Sequence, residues 1–332
     1  MRYARQSVFS KIGEEGQQQL LKSKVVIIGM GALGTVSANN LCRAGVGHIR
    51  MVDRDYVEMT NLQRQILFNE SDAKESLPKT IAAFNRLSTV NSEIILEPIV
   101  SDVNSANIES LVRDADLILD ATDNFEIRFL INEAAIKYNI PWIYGAALGS
   151  QGMTFNILKG GPCLLCFMGD SGESAHTCGT FGVINTVTSI VASIQSTEAL
   201  KILLKSDDIR KEMLVMDVWE NSFNMTALLK DEDCPVCVHG KYSRLNSGAG
   251  AYTSSICGTD SVQVVPLKSA CVDFTVLAKK LKKIGNVRHN KHTLTFSDKK
   301  YEFVLFKDGR AMIKNVIDEN NAKSVYTEYI GL

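Results

Sequence analysis

Residues 24–53 constrain the fold more than any other stretch. KVVIIG is a continuous apolar run, as expected of a strand covered on both faces. GMGALG follows, placing Gly29, Gly31 and Gly34 in a G-x-G-x-x-G spacing. A helix is predicted from there to about Ala44, and HIRMVD reads as a second strand ending on Asp53. Small residues at this turn let backbone amides approach a phosphate, and a helix N-terminus adds partial positive charge. Asp53 lies 22 residues beyond Gly31, where a carboxylate can accept ribose hydroxyls. Alone, the pattern says only that a nucleotide binds. A close helix–sheet contact with no ligand would use the same glycines.

Apolar runs recur at EIILEPIV, DLILDA and PWIYGAA, and a helical stretch, NFEIRFLINEAAIKY, lies between the last two. Strands alternating with helices predict an α/β fold with a doubly wound, mainly parallel, Rossmann-like sheet. The tail reads differently. Asp273 is a candidate cap for a helix, DFTVLAKKLKKI, with Phe274, Leu277, Leu281 and Ile284 on one face. TLTF, YEFVLF and AMIKNV read as a three-strand meander with turns at SDKK and KDGR, and a last helix is expected at about 321–330. The expected organisation is a main domain over 1–242, a linker over 243–251 (SRLNSGAGA in its neighbourhood) and a small α+β domain over 252–332.

With 332 residues, 45% hydrophobic and 22% charged, the chain can build a sizeable core. A net charge of −1 implies no global pull toward nucleic acid or membrane. The charge is uneven: 13 Lys/Arg stand against 8 Asp/Glu from residue 245 onward, and 23 against 29 before it. The lysines of KKLKK fall on the solvent side of the predicted helix, RHNKH lies nearby, and no aromatics are interleaved, so they read as a solvated face; docking of an acidic partner is the weaker alternative. RYARQSVFSKIG lacks the apolar core of a signal peptide. The apolar stretch 183–204 carries Asn185, Gln195, Glu198 and Lys201, which argues for a buried or interface helix over a membrane span. A cytosolic location follows as the expectation, and there paired cysteines suggest metal before disulfide.

Cys163–Cys166 and Cys234–Cys237 each have knuckle spacing, and tetrahedral Zn²⁺ takes four such thiolates. The separation of 68 positions from Cys166 to Cys234 would make the metal a staple between distant segments, hence a structural site. Buried or redox-active thiols are the alternative. Cys42, Cys257 and Cys271 read as core or incidental. Cys178, in HTCGTFGV beside His176, is unpaired in a Gly/Thr-rich segment; a thiolate there could attack an activated acyl group, or could be merely accessible.

Two nucleotide chemistries compete, the second open to a peptide or amino-acid carboxylate as well, and a non-catalytic zinc-stapled binding scaffold is the alternative to both. An NAD-dependent oxidoreductase needs little beyond Asp53. An adenylyltransferase must bring a carboxylate against a triphosphate, and so needs fixed cations and an aspartate for Mg²⁺. Arg5 in RYARQ, Arg64 in NLQRQ, Lys79 in LPKT, and Asp123 with Asn124 in DATDN supply that set. Singly, Arg64 and Lys79 could be solvated charges and Asp123 a helix cap. Together, several fall at the carboxyl ends of successive predicted strands, where open α/β sheets bind ligands.

RYARQ, GMGALG, DRDYVEMTNLQRQ, LPKT, DATDNFEIR and the two C-x-x-C pairs together resemble the ThiF/MoeB family, bacterial relatives of ubiquitin-activating enzymes, over roughly residues 1–242. The resemblance implies ATP- and Mg²⁺-dependent adenylation of the C-terminal Gly-Gly carboxylate of a small ubiquitin-like sulfur carrier, from the molybdopterin or the thiamine pathway, with a slight leaning to the former. It implies that Asp53 holds the ribose, that Asn61, Arg64 and Lys79 contact phosphates, and that Asp123 binds Mg²⁺. Gly29, Gly31, Ala32, Gly34, Thr60, Leu62, Gln63, Asn124 and Arg128 would complete the nucleotide site. It further implies a homodimer in which Arg5 reaches the partner's triphosphate, zinc on the four paired cysteines, and Cys178 as a nucleophile used in some relatives. Ala32 departs from the family's loop, which often carries glycine there.

Overall fold

The computed structural model describes residues 2–169, 182–248, 252–255, 261–266 and 271–331. Two short helices, α1 (Ala4–Ser7) and α2 (Gly13–Lys22), lead into β1 (Lys24–Ile28). Val26 and Ile28 enter one core cluster, with Phe129, Ile131 and Trp142; Val25 and Ile27 enter another, with Leu20, Leu41 and Leu87. Alternate side chains of a strand point to opposite faces, so a strand with helices on both sides needs apolar residues at every position. That is why KVVII has no polar alternation.

The chain continues through α3 (Ala32–Ala44), β2 (His48–Asp53), α4 (Glu70–Lys74), α5 (Lys79–Val90), β3 (Ile95–Val100), α6 (Ile108–Val112), β4 (Leu117–Asp120), α7 (Phe125–Tyr138) and β5 (Trp142–Leu148). Then come β6 (Gln151–Ile157), α8 (Leu164–Met168), α9 (Asn185–Leu203), β7 (Met213–Asp217) and β8 (Ser222–Thr226). The sheet order is β3-β2-β1-β4-β5-β6-β7-β8, parallel from β3 to β5 and antiparallel from β5 onward.

The apolar stretch expected to be buried is α9, and no helix among the described residues is long and apolar enough to cross a membrane. Its polar residues hold the sheet from beneath. Gln195 Nε2 donates to the carbonyls of Asp120 (3.0 Å) and Ile143 (3.3 Å), and Glu198 accepts from Asn156 Nδ2 (2.7 Å) and the Arg210 amide (3.0 Å). Residues 243–248 are anchored on α7: the buried Glu133 accepts from the amides of Leu245 (3.0 Å) and Arg244 (3.3 Å), and Leu245 is itself buried.

The tail forms a second, antiparallel sheet. Its strands are β9 (Tyr252–Ser255), β10 (Ser261–Val265), β11 (Asn286–His289), β12 (Thr293–Ser297), β13 (Glu302–Phe306) and β14 (Ala311–Lys314), in the order β11-β12-β13-β14-β10-β9. The expected meander is its β12–β14 core; β9, β10 and β11 extend it on both sides. Helices α10 (Phe274–Leu281) and α11 (Glu319–Tyr329) complete its core. Asp273 caps α10, accepting from the amides of Thr275 (2.8 Å) and Val276 (3.3 Å). Phe274, Leu277 and Leu281 are buried as expected, but Ile284 is not: α10 ends before it and it is 56% exposed. The chain then passes close to β12, where a Cβ on Gly285 would meet the Phe296 ring at 2.6 Å.

Candidate active site and metal centre

β1 pairs with β2 on one side and β4 on the other, so the connections leave it in opposite directions. Open α/β sheets place their ligand crevice outside the carboxyl ends at such a reversal. The three glycines meet it differently. Gly29 has φ +95°, and a Cβ there would lie 2.5 Å from the Ala121 carbonyl oxygen at the end of β4. A Cβ on Gly34 would lie 2.0 Å from the Gly29 carbonyl oxygen. Both are fixed by packing of strand ends against α3. A Cβ on Gly31 would meet only Gln65 Nε2, at 4.0 Å, so this is the open floor of the loop. Ala32 begins α3 and packs with Leu33, Val36, Val187 and Val191. Its methyl joins an apolar cluster rather than crowding that floor.

Asp53 ties the loops together. Its carboxylate accepts from the amides of Met30 (2.6 Å) and Asp55 (2.7 Å). Burial pushes its pKa above the usual range, Lys79 opposes that, and Asp55 adds to it. Each oxygen keeps a further lone pair for a ligand.

Lys79 is buried and pairs with Asp55, Nζ to Oδ2 at 2.5 Å. The Lys79 amide also donates to the Asp55 carbonyl at 2.9 Å, and Tyr56 bridges Pro78, so residues 55–56 and 78–79 lie side by side. Burial works against the ammonium, but Asp55 and Asp53 more than offset it and raise its pKa above the ordinary lysine value. A solvated lysine is thereby excluded. Asp55 and Arg54 are site residues the sequence reading passed over. The signal was available: in an extended chain, residues 53 and 55 point to one side. Arg54 donates to Asp102 (3.2 Å) and stands within electrostatic reach of Asp123, Asp55 and Asp53.

The amide-rich segment after it is a turn. Residues 59–61 form a 3₁₀ helix, and the buried Asn61 accepts the Glu58 amide at 2.9 Å on Oδ1. Arg64 is partly exposed and donates to the Thr60 carbonyl at 3.2 Å; Thr60 and Gln63 are exposed and Leu62 partly buried.

Asp123 is exposed at the end of β4, and its charge is felt by Arg54, Lys79 and Arg128. The helix cap lies one residue on: Asn124 accepts the Ile127 amide at 3.3 Å, leaving the Asp123 carboxylate unspent on α7. Arg128 differs from the expectation of a cation facing the nucleotide. It is buried, its Nε donates to Asp120 (3.0 Å), and its Nη2 donates to the carbonyls of Thr122 (2.6 Å) and Gly145 (3.0 Å). The Phe125 and Tyr144 rings flank it at 5.0 Å. It holds the end of β4, and through it the base of Asp123. Arg5 is exposed on α1.

The four paired cysteines come together. Cys163 and Cys234 are 3.7 Å apart, Cys163 and Cys166 3.8 Å, and Cys166 and Cys237 3.5 Å, sulfur to sulfur. A tetrahedron with metal–sulfur bonds of about 2.3 Å has edges of about 3.8 Å, so the cluster could hold a metal ion. Asn132 on α7 accepts the Leu164 amide at 3.0 Å and fixes the first knuckle. Cys42 is buried in the core and Cys271 exposed. Cys178, His176 and Cys257 lie outside the described residues.

Residues 3–236 match the ThiF family. The chain is 41% identical over 334 residues to a sulfur carrier protein ThiS adenylyltransferase of Bacillus subtilis, covering 99% of each chain. It is 33% identical over 240 residues to the molybdopterin-synthase adenylyltransferase of Escherichia coli, covering 71% of this chain and 96% of that one. Its fold is similar to that of Escherichia coli MccB in a crystal structure with ATP, with TM-score 0.63 and 24% identity over 71% of this chain and 74% of that one. A crevice with this charge set and a matching family over most of its length leave one assignment: the chain belongs to the ThiF family.

Proposed function

We propose that the protein is an ATP-dependent adenylyltransferase that activates the C-terminal carboxylate of a small sulfur carrier protein. The observation that carries this reading is the convergence of Lys79 and Arg54 with Asp53, Asp55 and Asp123 beside an open glycine floor. An NAD-dependent oxidoreductase, or a non-catalytic scaffold, leaves that set without a task. Similarity along the whole chain to a protein named for ThiS weighs the carrier toward the thiamine pathway, where the sequence alone leaned slightly to the molybdopterin pathway.

In the reaction, a carboxylate oxygen of the carrier bonds to the α-phosphorus of ATP, and the bond from that phosphorus to the bridging oxygen of pyrophosphate breaks. The carboxylate is already the nucleophile, so no general base is needed. What the chain must do is position two anions and stabilise charge on the leaving group. Gly31 gives the phosphates close access to backbone amides at the start of α3. Asp53 accepts from the ribose, Lys79, Asn61 and Arg64 face the phosphates, and Arg128 keeps the end of β4 in place. Thr60, Leu62, Gln63 and Asn124 line the crevice around them.

Asp123, with Asp55 nearby, offers the carboxylate oxygens that suit Mg²⁺. That ion, when bound, neutralises phosphate charge. Zinc on Cys163, Cys166, Cys234 and Cys237 is structural in this reading. Four thiols kept for a metal suit the reducing cytosol. Arg5, with the exposed Val8 and Phe9 beside it, is offered to the second copy of a homodimer. The Cys178 sulfur displaces AMP from the acyl-adenylate, giving a thioester. The test is carrier-dependent exchange of pyrophosphate into ATP. Exchange with the carrier supports the reading; NAD binding without exchange would reverse it.

A further inference from the structure

The appended sheet touches the main domain at the residues that shape the crevice. From Asp53 to Glu58 the odd and even positions divide. Asp53 and Asp55 face the glycine loop and Lys79. Tyr56 and Glu58 face the tail, and Arg54 meets it through its backbone carbonyl. Arg310 Nη1 donates to the Arg54 carbonyl at 3.0 Å, while the Arg54 guanidinium pairs with Asp102, whose other oxygen accepts from Gln263 Nε2 at 3.0 Å. Asp102, Gln263 and Arg310 are all buried. Tyr56 packs with Phe306, Val304 and Met312 in a small cluster, ring centroids 6.5 Å apart for the first pair. Lys314 Nζ meets Glu58 at 2.5 Å, and Glu58 also accepts from the Tyr56 hydroxyl at 3.1 Å.

The other arm of the ion pair is held from the same sheet. Thr293 Oγ1 donates to the Ser76 carbonyl at 3.1 Å, and Asn290 Nδ2 donates to the Glu75 carbonyl at 2.8 Å. These residues lie just before Pro78 and Lys79. The tail therefore grips both segments that carry the Asp55–Lys79 pair, the loop after β2 and the residues leading into α5.

We propose that the appended domain is a clamp for ATP, in which Arg310, Lys314 and Thr293 are positioning residues that set the Asp55–Lys79 pair against the glycine loop. This rests on the crevice being the nucleotide site. The clamp touches none of the reacting atoms and acts through the two segments it grips. Its charge fits the task, since a net positive tail meets a net negative main domain.

Arg310 is buried and its truncation would disturb folding, so the test uses Lys314, which lies nearer the surface, together with Thr293, which is buried but can be exchanged for valine of nearly the same shape. The full chain carrying Lys314→Met with Thr293→Val is compared with wild type by calorimetric titration of ATP and by pyrophosphate exchange. The expected result is ATP binding weakened about tenfold, a loss of about 1.4 kcal/mol, with the carrier KM changed by less than about twofold. Lys314→Arg, which keeps the charge, should restore most of the affinity. Unchanged ATP affinity overturns the clamp. So does an equal weakening of ATP and carrier, which a general loss of structure would give. If wild type binds ATP but shows no exchange, the proposed reaction fails while the titration still decides the clamp.

Discussion

The nucleotide crevice and the cysteine cluster share helix α7 and are built on opposite plans. Arg128, near the start of α7, secures the end of β4 and leaves Asp123 exposed to an incoming ligand. One turn on, Asn132 secures Leu164 beside Cys163, and there the thiols turn inward: Cys163 and Cys234 are completely buried and Cys166 and Cys237 partly so. Next to it Glu133 captures residues 243–245. One helix thus aligns an open site, a closed site and the chain that leads to the tail. The difference shows how to tell a working site from a staple. A site keeps charged groups with unused valence over an accessible floor, whereas a staple uses up every ligand atom it brings together.

Substitutions should separate the two plans. The largest expected effect is on the staple. Cys234→Ser, or a chelator acting on the proposed zinc, would leave neighbouring sulfurs packed without a cation. Structural zinc contributes free energy to folding directly. Thermal unfolding should fall steeply, with stoichiometric zinc lost from the variant by elemental analysis. A purified wild type that never carries zinc would remove this side of the comparison.

Asp123→Asn should do the reverse. It deletes a charge at an exposed position that caps nothing, so Tm should hold within a degree or so, while exchange falls by about 10²- to 10³-fold, the scale for losing one preorganised electrostatic group. A large loss of Tm with modest loss of activity would make Asp123 a structural residue instead. A smaller and sharper contrast lies within the glycine loop. Gly34→Ala forces a methyl against the Gly29 carbonyl and should cost about 1–3 kcal/mol of stability, as overpacking does. Gly31→Ala meets open space, so it should leave unfolding unchanged and weaken ATP alone. Equal melting of both variants would contradict the roles given to the two glycines.

Much of this was legible in the sequence because the determinants are local. β1 and α3 follow from an apolar run and a spacing of glycines. The cysteine knuckles follow from two short motifs, though only the fold brings their sulfurs together. Asp273 announced its helix because a cap acts on amides two and three residues away. The reading failed where a role depends on distant packing. Arg128 looks like a site cation until Asp120, Thr122 and Gly145 are seen to surround it. Ile284 keeps the helical spacing but lies past the end of α10, just before Gly285 packs against Phe296. Asp55 and Lys79 stand 24 residues apart, and nothing local pairs them. Strands β9 and β11 are four residues long and mostly polar, so they lack the apolar alternation that marks β12, whereas β10 (SVQVV) carries that alternation and was passed over.

The central claim is that the Lys79 crevice attaches AMP to a carrier's terminal carboxylate. The direct measurement is the intact mass of a Gly-Gly-ended sulfur carrier after incubation with the full chain, ATP and Mg²⁺, with Lys79→Met run in parallel. The expected result is a carrier heavier by one adenylate on its C-terminus with wild type and little or none with the variant. A carrier that stays unmodified with wild type, or an adduct formed equally well by Lys79→Met, would contradict it.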